Sequence, residues 1–448
     1  MKRILMLFCF ALVAPSFAHA GIADKVVRKR VNGIDVIVYP TTIKDVVSIS
    51  GALPGGDALA LSGGDNPAVA KLTAMMLDRG TTTEDKFAIA KKLEGVGAAL
   101  EFKAGQQVLH IDGRCLKADL PLVVGLLAEQ LRTPAFSVGE FDKARQEFIG
   151  QQKNKIDNPQ QRAIEALNGA LFPAGQPNHE PTLDEYVASA GKLTVEDVKA
   201  FHHRVYGPDH MTLVFVGDVN PAQVQEAVAR SFKSWKGGAD YLRSAATNTL
   251  AEADSKERSI EVNIPGKTSS IVMIGQATSL RSTDQDEISL EVGTAILGSG
   301  FTGRLMHTVR DKEGLTYGIG AYVDDNAFAN GSWMVNATFA PELLARGIAS
   351  TQREVHLWWD KGVTDAELAA RKTNLVGSYQ VGLANTYGLA DSLLSAVLDG
   401  HDVSWLDGYP KAVEAVTVDQ VNAAIRKHLD PGKMVMVKAG TLSRATQK

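Results

Sequence analysis

Residues 194–200 read Thr-Val-Glu-Asp-Val-Lys-Ala and residues 417–423 read Thr-Val-Asp-Gln-Val-Asn-Ala, a match at a shift of 223 positions. The first copy continues through Pro208 into Met211-Thr-Leu-Val-Phe-Val-Gly217, and the second through Pro431 into Met434-Val-Met-Val-Lys-Ala-Gly440. Each copy predicts a helix opened by a threonine cap, a turn containing proline, and an apolar strand stopping at glycine. A second echo, shifted by 227, sets Ser137-Val-Gly-Glu140-Phe against Thr364-Asp-Ala-Glu367-Leu. Both have a hydroxyl followed three residues later by an acid, the capping-box spacing. Two echoes in the same order at nearly the same offset predict one structural unit written twice.

The surrounding segments predict strands and helices in mixed order. Val26–Arg30 and Ile34–Tyr39 flank Asn32-Gly33, a two-residue hairpin signal, and Val46–Ala52 continues as an apolar strand. Helical periodicity follows at Ala68–Leu77, Asp85–Leu93, Leu120–Leu131 and Glu140–Ile156. In the second half Ile271–Gln276 reads as a strand, Ile288–Leu297 as a helix and Trp333–Phe339 as an alternating strand. Lys236–Arg258 is rich in small and polar residues and reads as a linker. The predicted class is α+β, with two homologous mixed α/β domains, each a β-sheet packed with helices. The expected boundaries are a signal peptide at 1–20, an N-terminal domain at 21–235, the linker at 236–258 and a C-terminal domain at 259–448.

Composition sets outer limits. A chain of 448 residues, 45% apolar and 22% charged, is too long for one ordinary core and too apolar for disorder. A net charge of −4 argues against a nucleic-acid partner. Lys2 and Arg3, the apolar stretch Ile4–Val13 and Ala18-His19-Ala20 predict a secretory signal peptide cleaved after Ala20, hence a periplasmic protein. No other apolar run has the length of a membrane span, so none is expected. Cleavage also removes Cys9, leaving Cys115 without a disulfide partner; it reads as a small buried apolar residue.

Several stretches in order resemble the pitrilysin/insulinase family of zinc peptidases, the inverzincins. They are Asn32-Gly33-Ile-Asp-Val, Met76-Leu-Asp-Arg-Gly-Thr81, Asp157-Asn-Pro159 and Leu193-Thr-Val-Glu-Asp-Val through Gly217-Asp218. The strongest lies in the second half, Leu297-Gly-Ser-Gly-Phe-Thr-Gly-Arg-Leu305 followed by Val309-Arg310-Asp-Lys-Glu-Gly314-Leu-Thr-Tyr317. The family's H-x-x-E-H places two histidines at i and i+4 to bind zinc, with the glutamate as general base. Counting back from Met76–Thr81, the resemblance puts those three positions at Ala70, Thr73 and Ala74, and the third ligand at Gln151. Methyl groups donate no lone pair, so no zinc site and no cofactor are expected in this chain.

The other histidines offer no substitute. His202 and His203 are adjacent on a helix and point about 100 degrees apart. With His210 they read as solvated or core-capping imidazoles, and His179 beside Glu180 reads as loop packing. Gly298-Ser-Gly300-Phe-Thr-Gly303 spells the dinucleotide motif but follows a helix rather than a strand, so it reads as a helix C-cap with a tight, mobile turn. The resemblance adds that this turn lies near the peptide cavity.

Arg310 and Tyr317 are the candidate catalytic residues. On spacing alone they fit a structural role, with Arg310 paired to Asp311 or Glu313 and Tyr317 in the core. The resemblance implies instead that the two donate hydrogen bonds to the scissile carbonyl as it becomes an oxyanion. It further implies a heterodimer like mitochondrial processing peptidase and its bacterial relatives. This chain would be the zinc-free subunit, without autonomous activity. Its partner would be a homologous H-x-x-E-H chain carrying Zn2+, and its substrate a peptide or unfolded protein. A non-catalytic scaffold or peptide-binding protein on the same fold is the other reading.

Overall fold

The computed structural model describes residues 21–242, 258–324 and 326–442. The signal-peptide reading and the 243–257 part of the linker reading lie outside them. Eleven described strands form two sheets. β1 (Val27–Val31), β2 (Ile34–Pro40), β3 (Val46–Pro54), β4 (Ala99–Ala104), β5 (Val108–Leu116) and β6 (Thr212–Gly217) make the first. β7 (Arg258–Asn263), β8 (Ser270–Ala277), β9 (Thr316–Asp324), β10 (Ser332–Phe339) and β11 (Val435–Gly440) make the second. Arg258, which the sequence assigns to the linker, is instead the first residue of β7, drawn into the sheet by its pairing with Val435.

The strand orders are β1-β2-β6-β3-β5-β4 and β7-β11-β8-β10-β9. Without the extra hairpin strand β1 they superpose term by term, and β2–β6 and β7–β11 are the parallel pair of each sheet. The predicted hairpin forms because Asn32 and Gly33 both take positive φ, 50° and 94°, as the two-residue turn requires. The repeat helices Val195–Val205 and Val418–His428 each open on a reciprocal capping box, Thr194 with Asp197 and Thr417 with Gln420.

The second echo holds on one side only. Thr364 and Glu367 make the full box, whereas Ser137 makes no side-chain cap. Its acid, Glu140, is engaged elsewhere: bonds from Lys143 and Lys86 draw its carboxyl down to about 2.

Both faces of each sheet are covered, which is why β6 is buried along its whole length instead of alternating. One face packs on helices of the same half. The other receives a helix from the opposite half. Pro159–Leu171 lays Ala163 and Leu167 on Ile271, Met273, Val435 and Val437 of β8 and β11. Thr386–Leu398 lays Leu389, Leu393 and Leu394 on Ala52, Val214 and Val216 of β3 and β6. These helices are 13 residues each and start at 159 and 386, the same 227-residue offset as the second echo. The exchange interlocks the two halves.

A pair of acids marks one junction. Glu287 and Glu291 lie one turn apart on the Glu287–Gly298 helix, and Tyr409 donates to Glu291 at 3.1 Å. Burial, then Glu291, then Asp399 push Glu287 from 4.5 up to about 8, and burial also raises Glu291. The folded state therefore holds a proton that the unfolded chain releases near pH 4.5, and stability falls as pH rises from there to about 8. Glu287→Gln keeps the neutral shape at every pH. Its denaturation midpoint is expected to exceed the native one above pH 8, with the difference shrinking toward pH 4.5; chemical denaturation across that range measures it.

Candidate functional site

The Val69–Met76 helix carries the positions at which the resemblance puts the metal. Ala70 and Ala74 are buried within the apolar core of the first half, and the Thr73 hydroxyl donates back to the Val69 carbonyl at 2.7 Å. Gln151, on the Val138–Ile156 helix, is exposed and donates to Glu147 at 3.3 Å. Two methyl groups, a hydroxyl already spent on the backbone and a neutral amide do not fit zinc. Among the described residues no group of three or more His, Cys, Asp or Glu could hold a metal ion.

Charge is present beside these positions in another form. Asp57 is 0% exposed, and its Oδ2 accepts from Lys71 at 2.5 Å and from the Tyr186 hydroxyl at 2.6 Å. Lys71 is the residue after Ala70, and its ammonium also lies 5.3 Å from the Tyr186 ring centre. Burial raises the Asp57 carboxyl while Lys71 opposes the rise. The sequence reading missed this triad, because Asp57 and Tyr186 are distant in the chain from Lys71; the lone lysine on an apolar helix was its only local sign.

The histidines do structural work. His202 bonds the Leu131 carbonyl at 2.8 Å, His179 bonds that of Phe172 at 2.8 Å, and burial lowers His202 away from protonation. Cys115 is buried, and burial pushes its thiol up to about 12, far from a reactive thiolate.

The second half holds the exposed chemistry. The helix Glu287–Gly298 ends in the glycine-rich turn, with Gly300 at φ +65°. A Cβ at Gly298 would lie 2.2 Å from the Ala321 amide of β9, so only glycine lets the helix end approach the strand. Arg371 donates to the Ser299 carbonyl at 2.9 Å, and Arg304 grips Glu367 at 2.6 and 2.7 Å. The glycine motif ends a helix, as the C-cap reading expects, but the turn is fixed to the Asp365–Gly382 helix instead of being mobile, because these two arginines tie it there.

Arg310 lies in a π-helical segment, Met306–Lys312, where the Glu313 amide bonds the Thr308 carbonyl at 3.0 Å, five residues back. Such a widened turn shifts side chains to a new face and is frequent at functional sites. The structure brings Arg310 and Tyr317 together, with the guanidinium carbon 5.1 Å from the tyrosine ring centre. It also adds Phe301, whose ring centre is 4.9 Å from the same carbon. The sequence reading missed Phe301; a large apolar residue between Gly300 and Gly303 was the available signal.

The structural alternatives for the pair do not hold. Glu313 pairs with Arg353 at 2.5 Å, and among the described residues no carboxylate pairs with Arg310. Tyr317 is 85% exposed instead of packing in the core, and its hydroxyl has no partner among the described residues.

Residues 192–375 match the family described as the peptidase M16 inactive domain. The fold is similar to the crystal structure of a peptidase M16 inactive domain from Pseudomonas fluorescens, with a TM-score of 0.84 and 26% identity over 94% of this chain and 99% of that one. An uncharacterized zinc protease of Streptomyces coelicolor is 24% identical over 357 residues, 78% of this chain and 76% of its own length. The non-peptidase homolog YmxG of Helicobacter pylori is 22% identical over 381 residues, 85% of each. No helix among the described residues is long and apolar enough to cross a membrane. Residues 192–375 are thus similar to the peptidase M16 inactive-domain family, and the chain that carries them has the fold of a solved inactive domain of that kind.

Proposed function

We propose that this chain is the zinc-free subunit of an exported, periplasmic heterodimeric metalloendopeptidase. Its partner is a homologous chain with an intact H-x-x-E-H, and its substrates are peptides or unfolded proteins. One observation carries the reading: Arg310, with no counter-carboxylate among the described residues, stands beside an exposed Tyr317 whose hydroxyl is unengaged. A permanent cation and a neutral phenol held together on a surface are donors in want of an acceptor.

The chemistry follows from those donors. When a peptide carbonyl is attacked, negative charge gathers on its oxygen. Arg310 and Tyr317 donate to that oxygen and lower the barrier, each donor contributing on the order of a hundredfold. The zinc that activates the attacking water belongs to the partner. The substrate backbone adds to an exposed sheet edge, of which β4 and β9 are this chain's two at the same end of the repeat order.

The test combines this chain with the H-x-x-E-H relative exported by the same cell. Peptide hydrolysis is expected only in the mixture, with zinc recovered in the partner. A partner equally active alone would eliminate the trans-acting site and leave the scaffold reading. N-terminal sequencing of the periplasmic protein is expected to start at Gly21.

A further inference from the structure

We infer that Phe301 is a positioning residue for Arg310, a role that rests on the reading of Arg310 as a donor to a peptide carbonyl. An arginine side chain loses much rotamer entropy when it is fixed in one geometry. At two other arginines of the same half that cost is met by carboxylates: Arg304 is held by Glu367 and Arg353 by Glu313. A carboxylate fixes the guanidinium but occupies its N–H groups and cancels its charge. Arg310 is held differently. The rings of Phe301 and Tyr317 lie 4.9 and 5.1 Å from its guanidinium carbon, and they make no ring contact with each other, so the cation is what joins them. Attraction to two ring faces restricts the side chain while leaving its charge and its donors available to an incoming oxygen.

Phe301 is built for that task and for no apolar burial. It is 68% exposed, at the tip of the glycine-rich turn. The turn beneath it is held by the close approach of Gly298 to Ala321, by Arg371 on the Ser299 carbonyl and by Arg304 on Glu367. An aromatic ring on a fixed turn facing a cation on a π-helical segment makes a rigid platform, where a loose loop would only add disorder. Tyr317 has two roles, as ring and as hydroxyl donor; Phe301 has only the ring. Its removal should therefore disturb the placement of Arg310 without deleting any donor.

The test uses Phe301→Leu, which keeps bulk and loses the ring, and Phe301→Tyr, which keeps the ring. In the full chain alone, the Arg310 Nε–Hε resonance, assigned with Arg310→Lys, is expected upfield of ordinary arginines through the ring currents. Phe301→Leu should return it toward the ordinary position, and Phe301→Tyr should preserve it. In the mixture with the zinc-bearing chain, Phe301→Leu should lower kcat about five- to tenfold with KM within twofold, and Phe301→Tyr should restore it. An Arg310 resonance unchanged by Phe301→Leu overturns the inference. So does a moved resonance with unaltered kcat when Arg310→Ala is nearly inactive. If Arg310→Ala itself leaves turnover intact, the proposed function fails, and the resonance shift separately reports whether the ring contact exists.

Discussion

Turnover of the mixed enzyme is expected to fall a hundredfold or more when Arg310 becomes alanine, while the two chains still assemble. The size follows from where the charge develops. A donor aimed at the oxyanion acts most strongly at the top of the barrier, so its loss appears in kcat more than in KM. The fold should be indifferent, because among the described residues Arg310 carries no ion pair, and the rings it touches are 68% and 85% exposed. Arg310→Lys retains the charge as a single point but loses the planar stack, so an intermediate rate is expected. Tyr317→Phe keeps its ring and removes its hydroxyl, separating donation from stacking. Steady-state kinetics with size-exclusion chromatography reads all three. Unchanged kcat in Arg310→Ala, with assembly intact, would leave the chain as a scaffold.

The repeat was legible because its signals are local. Caps, a proline turn and an apolar strand ending in glycine recur at Thr194–Gly217 and Thr417–Gly440, and each corresponds to an element observed. The exchange of helices was not. The apolar face of Pro159–Leu171, with Ala163 and Leu167, shows that something covers it, and nothing in its period says that the cover is β8 and β11, far along the chain in the other half. The resemblance puts two metal positions at Ala70 and Ala74, and that a methyl group lacks donor atoms is readable from the residue type alone. The setting of Arg310 was less accessible. A spacing of seven to Tyr317 suggests a neighbour, but a π-helical segment changes which face a residue presents, and the approach of Phe301 depends on the turn that Gly298 permits. Ion-pair partners are hardest of all to read: Glu313 was a plausible mate for Arg310 by proximity, and the fold gives it to Arg353.

Lys71→Met is expected to destabilise the chain by about 3 kcal/mol, at the low end for a broken buried pair because the lysine side chain is 24% exposed. The loss comes from what stays behind. Asp57 remains sealed from solvent; its Oδ1 already has no partner, and its Oδ2 would keep only the Tyr186 hydroxyl. Burial raises its carboxyl, so the folded variant takes up a proton at a pH where the unfolded chain has released it. The sign is then fixed: stability lost at neutral pH returns as pH falls toward the ordinary carboxylate range, the reverse of a chain held by ionised acids. Asp57→Asn with Lys71→Met removes both charges and should recover much of the loss, a coupling that a double-mutant cycle in denaturant measures. Lys71 follows Ala70 on the helix where the resemblance places a metal. A large coupling would mean that an ammonium, held by Asp57 and Tyr186, anchors this helix. A Lys71→Met protein that unfolds at the native denaturant concentration, at both neutral and acid pH, would show that the apolar packing of Leu72 and Met76 holds that helix unaided.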